Sequence, residues 1–284
     1  RKAQRRDPRF RRGSRGLTRR RRPCAAASFG RRQQRKCMNY IRISSIRTIG
    51  LLLIATARPA LAFPRSVMSP PSPSFSAFHT AFWNRIAATY DDTSPKTNAY
   101  RDRRLKLLLD ERYLKPDDKV LDFACATGRL AMDLSVHVHS VLGIDLSQKM
   151  IQKAQEKVEG SPGCNVRFAT TDLFDESLDG EGFSVVGAFN VLHLVPTPEL
   201  FLRRIGGLMA PRGLLISETP CMGTKPWYFQ TAIGVAAWTG LVPKAQALTQ
   251  EGIEKMMTDE GFEVVKSIVL EGGDPLIVAR KRDA

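Results

Sequence analysis

Residues 78–284 predict an α/β domain with a mainly parallel sheet, helices on both faces and an antiparallel C-terminal hairpin. Three observations carry this. From Lys119 onward, short apolar runs alternate with helical patterns, the arrangement that right-handed crossovers between parallel strands produce. The first run ends in a tight turn of small residues, Ala124-Cys125-Ala126-Thr127-Gly128, and the second closes on Asp145. The last two runs are separated by the link Gly272-Gly273-Asp274-Pro275, short and turn-forming enough to make a hairpin.

In order, helices near Phe78–Thr89 and Tyr100–Leu114 precede the sheet and are expected beside the mouth of its site. Strands are expected at Lys119–Phe123, Ser140–Asp145, Asn165–Thr170, Phe183–Phe189, Gly213–Glu218, Glu263–Leu270 and Leu276–Lys281, each an apolar run of strand length. Helices at Arg129–Ser135, Ser147–Val158, Pro198–Leu208 and Thr249–Asp259 fall between them. Ser147 suits the N-cap of its helix, because its hydroxyl can accept a backbone N–H that the first turn leaves without a partner. Roughly 200 residues suffice for one such domain with a substantial core.

In an open sheet of this kind a ligand sits outside the carboxyl ends of the strands, and the acid closing the second strand accepts hydrogen bonds from ribose hydroxyls. That points Asp145 at a nucleoside cofactor; the alternative is a cap on the helix that follows. The dinucleotide fingerprint spaces its glycines G-x-G-x-x-G, whereas here Ala124, Ala126 and Gly128 fall at every second position and the third glycine would land on Arg129. Asp122, two residues before the turn, would repel a pyrophosphate and suits a cofactor that carries an ammonium and a sulfonium.

At these residues the chain resembles the class I S-adenosylmethionine-dependent methyltransferases, whose first motif commonly runs V-L-D-x-G-x-G-x-G. The resemblance covers roughly Phe78 to Lys281 through an ordered series: A-A-T-Y-D (Ala87 to Asp91), the first motif, V-L-G-I-D-L-S (Val141 to Ser147), T-D-L (Thr171 to Leu173), F-S-V-V-G-A-F-N-V-L-H (Phe183 to His193) and G-L-L-I-S-E-T (Gly213 to Thr219). It departs where Ala124 and Ala126 replace glycines and where Ser184 replaces an acid. Alanine at the first of these costs little if its φ stays negative, while Ala126 crowds the methionine moiety or shifts the backbone.

The resemblance implies a Rossmann-like seven-stranded sheet, S-adenosyl-L-methionine as cofactor and a set of roles. Asp172 would accept from the adenine amino group, with Leu146 and Leu173 on the faces of the ring. Asp122 would orient the turn and the methionine ammonium, or act as a turn carboxylate alone. Gly128 would let the methionine carboxylate approach the helix N-terminus, or only permit the turn. Asn190 would line the mouth of methyl transfer, and Tyr90 would close over the cofactor or pack in the core. An acceptor hydroxyl that needs deprotonating would find its base in His193, just past the fourth strand, where the alternative is a packing histidine. His137 and His139 read as surface or strand-edge residues, and no His, Cys and acid cluster has the spacing of a metal site.

The formal charge is +16 and the pI about 10.1. Residues 1–37 hold 16 of the 44 Lys and Arg and one acid, Asp7, a net +15, which leaves 28 basic residues against 27 acids from Met38 onward. The folded part is nearly neutral, so no nucleic-acid groove is expected. Met38 is the first methionine, and residues 1–37 read as untranslated upstream sequence or as a disordered basic tail. From Met38, the apolar run Ile49–Ala57 followed by Ala60-Leu61-Ala62 reads as a signal peptide, about ten residues of apolar core being too short to span roughly 30 Å of hydrocarbon. Phe63 to Tyr90 has no acid and is rich in Ser and Pro, a transit-peptide composition. Residues 38–77 thus predict a two-part presequence for a plastid inside extra membranes, with secretion as the alternative. Cys125, Cys164 and Cys221 form no C-x-x-C pair, which argues against a disulfide framework.

Pro220 to Leu248 is rich in Trp, Tyr, Phe and aliphatic residues, with Lys225 and Lys244 its only charges. It reads as an apolar lid, as core, or as a homodimer face; a membrane-surface role is a further option, weaker because basic residues are few. As a lid it selects a small hydrophobic or aromatic acceptor. Three functions stay open: a small-molecule methyltransferase, a cofactor-binding protein without catalysis, and a nicotinamide oxidoreductase.

Overall fold

The computed structural model describes residues 73–92, 95–161, 163–269 and 274–283. The basic segment 1–37 and the presequence up to residue 72 lie outside the described residues, as do residues 270–273 of the hairpin link.

Two helices come first, α1 (Pro73–Ile86) and α2 (Pro95–Asp110). The alternating part follows as β1 (Lys119–Phe123), α3 (Arg129–Ser135), β2 (Ser140–Asp145), α4 (Gln148–Glu159), β3 (Val166–Thr170), β4 (Phe183–Phe189), α5 (Pro198–Leu208) and β5 (Met209–Glu218). The chain closes with α6 (Trp227–Trp238), α7 (Gln250–Asp259), β6 (Phe262–Val269) and β7 (Pro275–Lys281). The sheet order is β3-β2-β1-β4-β5-β7-β6, parallel throughout except that β7 runs against both its neighbours.

Period-2 alternation on a sheet buried on both faces builds two cores. Leu121, Val186, Leu215 and Ile277 point to the layer that holds Phe201, Leu202 and Ile205 of α5 and Ile253 and Met257 of α7. Their neighbours Val120, Val185, Ile216 and Val278 point to the other face, against Leu108 of α2 and Leu130, Ala131 and Leu134 of α3. Sequence order reverses between β1 and β4, so the connections leaving their carboxyl ends diverge and open a crevice there.

Four elements differ from expectation. α2 spans Pro95–Asp110 and not Tyr100–Leu114. α1 starts at Pro73, inside the acid-free stretch that composition assigned to the presequence. β5 reaches back to Met209, and the register with β4 slips between Phe183 and Val185 to absorb the extra residues, with Arg212 at φ 58°. The apolar segment after β5 holds a twelve-residue helix, α6, for which no periodic stripe exists because it is apolar nearly all round.

Gly128 precedes α3 at φ 72°. A Cβ there would lie 2.3 Å from Phe168 Cζ and 2.8 Å from Ala154 Cβ, so the position tolerates no side chain for two reasons, backbone and contact. Gly128→Ala is expected to destabilise the fold by about 2–4 kcal/mol, the left-handed strain and the overpacking together, read as a lower urea midpoint.

Candidate functional site

The turn after β1 is left-handed at alternate residues: Ala124 has φ 59°, Ala126 φ 49° and Gly128 φ 72°. The condition under which alanine at position 124 would cost little, a negative φ, is therefore not met, and each alanine carries about 1–2 kcal/mol of strain. Asp145 holds the turn in place. Its Oδ2 accepts from Ala126 N at 2.9 Å and its Oδ1 from Ser147 N at 2.8 Å. Burial raises the Asp145 pKa, and these two N–H groups oppose the shift. A carboxylate has about four acceptor positions, so two remain for hydroxyl donors. The cap on α4 is Ser147, whose Oγ accepts from Met150 N at 3.2 Å and donates to Asn84 Oδ1 on α1 at 2.7 Å.

A cavity of about 550 Å³ lies at this edge, with Asp145, Leu146, Asp172 and Leu173 on one part of its wall. Asp172 Oδ1 accepts from Phe174 N at 2.7 Å, shaping the loop after β3. Arg204 of α5 fastens that loop from behind, donating Nε to Leu173 O and Nη2 to Asp175 O, both at 2.9 Å. The rest of the wall is apolar: Phe82 and Trp83 of α1, Phe201 of α5, and Phe229, Ile233 and Val242 from the segment after β5. His193 stands among them. Its Nδ1 is buried with no hydrogen-bond partner, and burial lowers its pKa to about 4.

A second cavity, about 350 Å³, shares Tyr90, Ala124, Ala126, Phe189 and Asn190 with the first and adds Asp122, Arg104 and Glu218. Arg104 of α2 donates Nη1 to Glu218 Oε2 at 3.0 Å and stacks 4.4 Å from the centre of the Phe189 ring. Its Nε is buried and unpartnered. Asp122 is buried beside it; burial pushes its pKa up to about 7, with Arg104 opposing and Asp145 adding to the rise. Burial likewise raises Glu218 against the pull of Arg104.

Asp91 latches the segment before α2 onto the turn. It accepts from Thr127 Oγ1 and pairs with Lys157 Nζ, each at 2.6 Å, and Lys157 also donates to Thr127 O. The latch holds Tyr90 at the junction of the two cavities, its ring edge-on to Trp83. Burial and the neighbouring acids, Asp145 first, raise the Tyr90 pKa.

Of the sequence-predicted residues, Tyr90, Asp122, Ala124, Ala126, Asp145, Leu146, Asp172, Leu173, Asn190 and His193 all reach one or both cavities. Gly128 lines neither. Asn190 sits at φ 56°, a conformation asparagine tolerates, with its N–H on Glu218 O. Ser184 compensates for the acid missing at its position by donating to Asp118 Oδ1 at 2.8 Å. Sequence reasoning missed Arg104, Glu218 and His79, none of which carries a local pattern; the aromatic spacing of Phe82 and Trp83 was the available signal for α1. Cys125 and Cys221 are free and buried. Among the described residues no three His, Cys, Asp or Glu side chains are placed to hold a metal ion.

Residues 96–267 match the family described as a methyltransferase domain, more than half of the chain. The chain belongs to the class I S-adenosylmethionine-dependent methyltransferases. A ubiquinone biosynthesis O-methyltransferase of Coxiella burnetii is 28% identical over 141 residues, 50% of this chain and 59% of that protein. The chain thus spans under two thirds of the length of this relative. The N-methyltransferase NodS of Bradyrhizobium japonicum, solved with S-adenosylhomocysteine, superposes with a TM-score of 0.56 at 17% identity, covering 72% of this chain and 98% of that one. Magnesium protoporphyrin IX methyltransferase of Synechocystis, also with S-adenosylhomocysteine, gives 0.53 at 23% identity, covering 73% and 96%. Both share the fold.

The residues present fit the family's cofactor. Asp145 keeps acceptor capacity for a ribose diol, and the second cavity sets a buried carboxylate beside an unpartnered guanidinium N–H, matching the ammonium and carboxylate of an amino acid. Asp122 also gives a pH signature. Its carboxyl titrates near 7 when folded and near 4 when unfolded, so the folded state retains a proton over that window and stability falls as pH rises through it. Asp122→Asn is expected to remove this fall: urea midpoints at pH 5 and pH 8 should differ more in the wild type than in the variant.

Proposed function

We propose that the chain transfers a methyl group from S-adenosylmethionine to a small hydrophobic or aromatic acceptor seated in the apolar part of the 550 Å³ cavity. One observation carries the reading: a single cavity joins Asp145 and Asp172 to a wall of Phe82, Trp83, Phe229, Ile233 and Val242, with His193 among them. The relatives support it, since one is named for O-methylation in ubiquinone biosynthesis and one for methylating magnesium protoporphyrin IX.

Bound S-adenosylmethionine supplies an electrophilic methyl group on a sulfonium, so the protein's task is alignment and exclusion of water. Asp145 would take the ribose hydroxyls and Asp172 the adenine amino group. Asp122 and Arg104 would hold the amino-acid end, and Tyr90 the junction. The segment after β5 keeps bulk water from the apolar wall. His193, neutral above about pH 5, has an unpartnered Nδ1 free to accept a proton from an acceptor hydroxyl. The reading of a binding protein without turnover draws on the two strained alanines of the turn, and assay with a labelled methyl donor and phenolic acceptors decides between the two. The presequence reading, a plastid destination or else the secretory pathway, rests on sequence alone and is checked by where a reporter fused to residues 38–77 is delivered.

Calorimetric titration is expected to show that Asp145→Ala weakens S-adenosylmethionine binding at least about tenfold, or 1.4 kcal/mol. His193→Gln should leave that binding intact and lower kcat on a hydroxyl acceptor about 100-fold. The wild-type rate on that acceptor should be level above about pH 5 as far as His193 sets it.

A further inference from the structure

The face of α6 turned away from the cavity, with Leu241 just after the helix, carries several large exposed apolar side chains. Trp238 is 86% exposed, Trp227 77% and Leu241 65%, with Tyr228 and Val235 beside them. Large aromatics so placed on a soluble surface mark an interaction site. From Thr219 to Gln250 there is no acid, and the two charges, Lys225 before α6 and Lys244 after it, are exposed cations. The neighbouring helix continues the surface: α1 has no acid, its Phe78 is exposed, and a Cβ on Gly240 would lie 3.9 Å from the Phe78 ring.

We propose that this surface docks on a lipid bilayer, with α6 lying in the headgroup and acyl boundary. Tryptophan and tyrosine prefer that boundary because their rings are apolar and their N–H and O–H groups stay hydrated. Flanking lysines without acids complement zwitterionic or anionic phosphates. Twelve residues make a helix of about 18 Å, too short to cross roughly 30 Å of hydrocarbon, so the helix lies on the membrane. Among the described residues no helix is long and apolar enough to cross. A second copy of the chain is the competing occupant. The bilayer is favoured because the other side of the same helix, Phe229 and Ile233, lines the cavity, so the docked surface would adjoin the wall that receives an apolar acceptor. That last link rests on the proposed function; the docking itself does not.

The test uses the full chain and vesicles of phosphatidylcholine with and without phosphatidylglycerol, in 0.5 M salt to suppress binding through the basic segment 1–37. Trp83→Phe leaves Trp227 and Trp238 as the only tryptophans. Vesicle flotation, a blue-shifted emission and quenching by brominated lipid are expected. Trp227→Ser combined with Trp238→Ser and Leu241→Ser should weaken flotation at least tenfold. None of these three residues lines either cavity, so the triple variant should keep S-adenosylmethionine binding, which separates loss of docking from misfolding or from failure of the cofactor reading. Absence of flotation and quenching, with a concentration-dependent dimer that the triple variant abolishes, overturns the proposal in favour of a second copy. A monomer that neither floats nor is quenched also overturns it.

Discussion

The cleft depends on one carboxylate bridging two turns. Ala124 and Ala126 would leave left-handed backbone if nothing opposed them, and Asp145 opposes it from the end of β2 by accepting the Ala126 N–H while its other oxygen takes the Ser147 N–H. The β1–α3 turn and the start of α4 are thereby fixed to one another through a group that is itself buried. Glycine would make the same turn without strain. The side chain that holds the turn is also the one to which the proposed function gives the ribose, so under that reading one carboxylate serves both geometry and recognition.

The helices before the sheet complete what the sheet begins. α2 sends Arg104 across to Glu218 at the end of β5, and a buried pair of this kind is expensive to break, about 3–5 kcal/mol when one partner is removed. α1 reaches α4 through Asn84 and Ser147, and Asp91 fastens the segment between the helices to Thr127 and Lys157. These polar contacts attach an N-terminal layer to the sheet, and residues of that layer line both cavities.

Much of this was legible in the sequence where a period or a motif carried it. β1, β2, β4, α3 and α5 fall at the expected boundaries because two-residue alternation, small-residue turns and helical spacing are local signals. The cavity residues after β1, β2, β3 and β4 were legible for the same reason, since topology places the carboxyl ends of adjacent parallel strands together. α6 was not, because a helix apolar on all faces has no stripe to detect. Arg104 and Glu218 lie 114 residues apart and meet only through the fold. The sign of φ at Ala124 was left open by the sequence because the turn is held from outside it, by Asp145 accepting the Ala126 N–H from 19 positions later.

The two ends of the cleft answer to acidity differently. Among the apolar walls of the larger cavity, His193 sheds its proton near pH 4 and stays neutral through the whole range in which cells operate. At the other end, Asp122 titrates close to neutrality. A shift of one pH unit about neutrality would therefore change the charge of the chamber that holds Asp122 and leave the His193 imidazole neutral. Under the proposed function, environmental acidity would act on how the protein loads and leave the transfer step insulated.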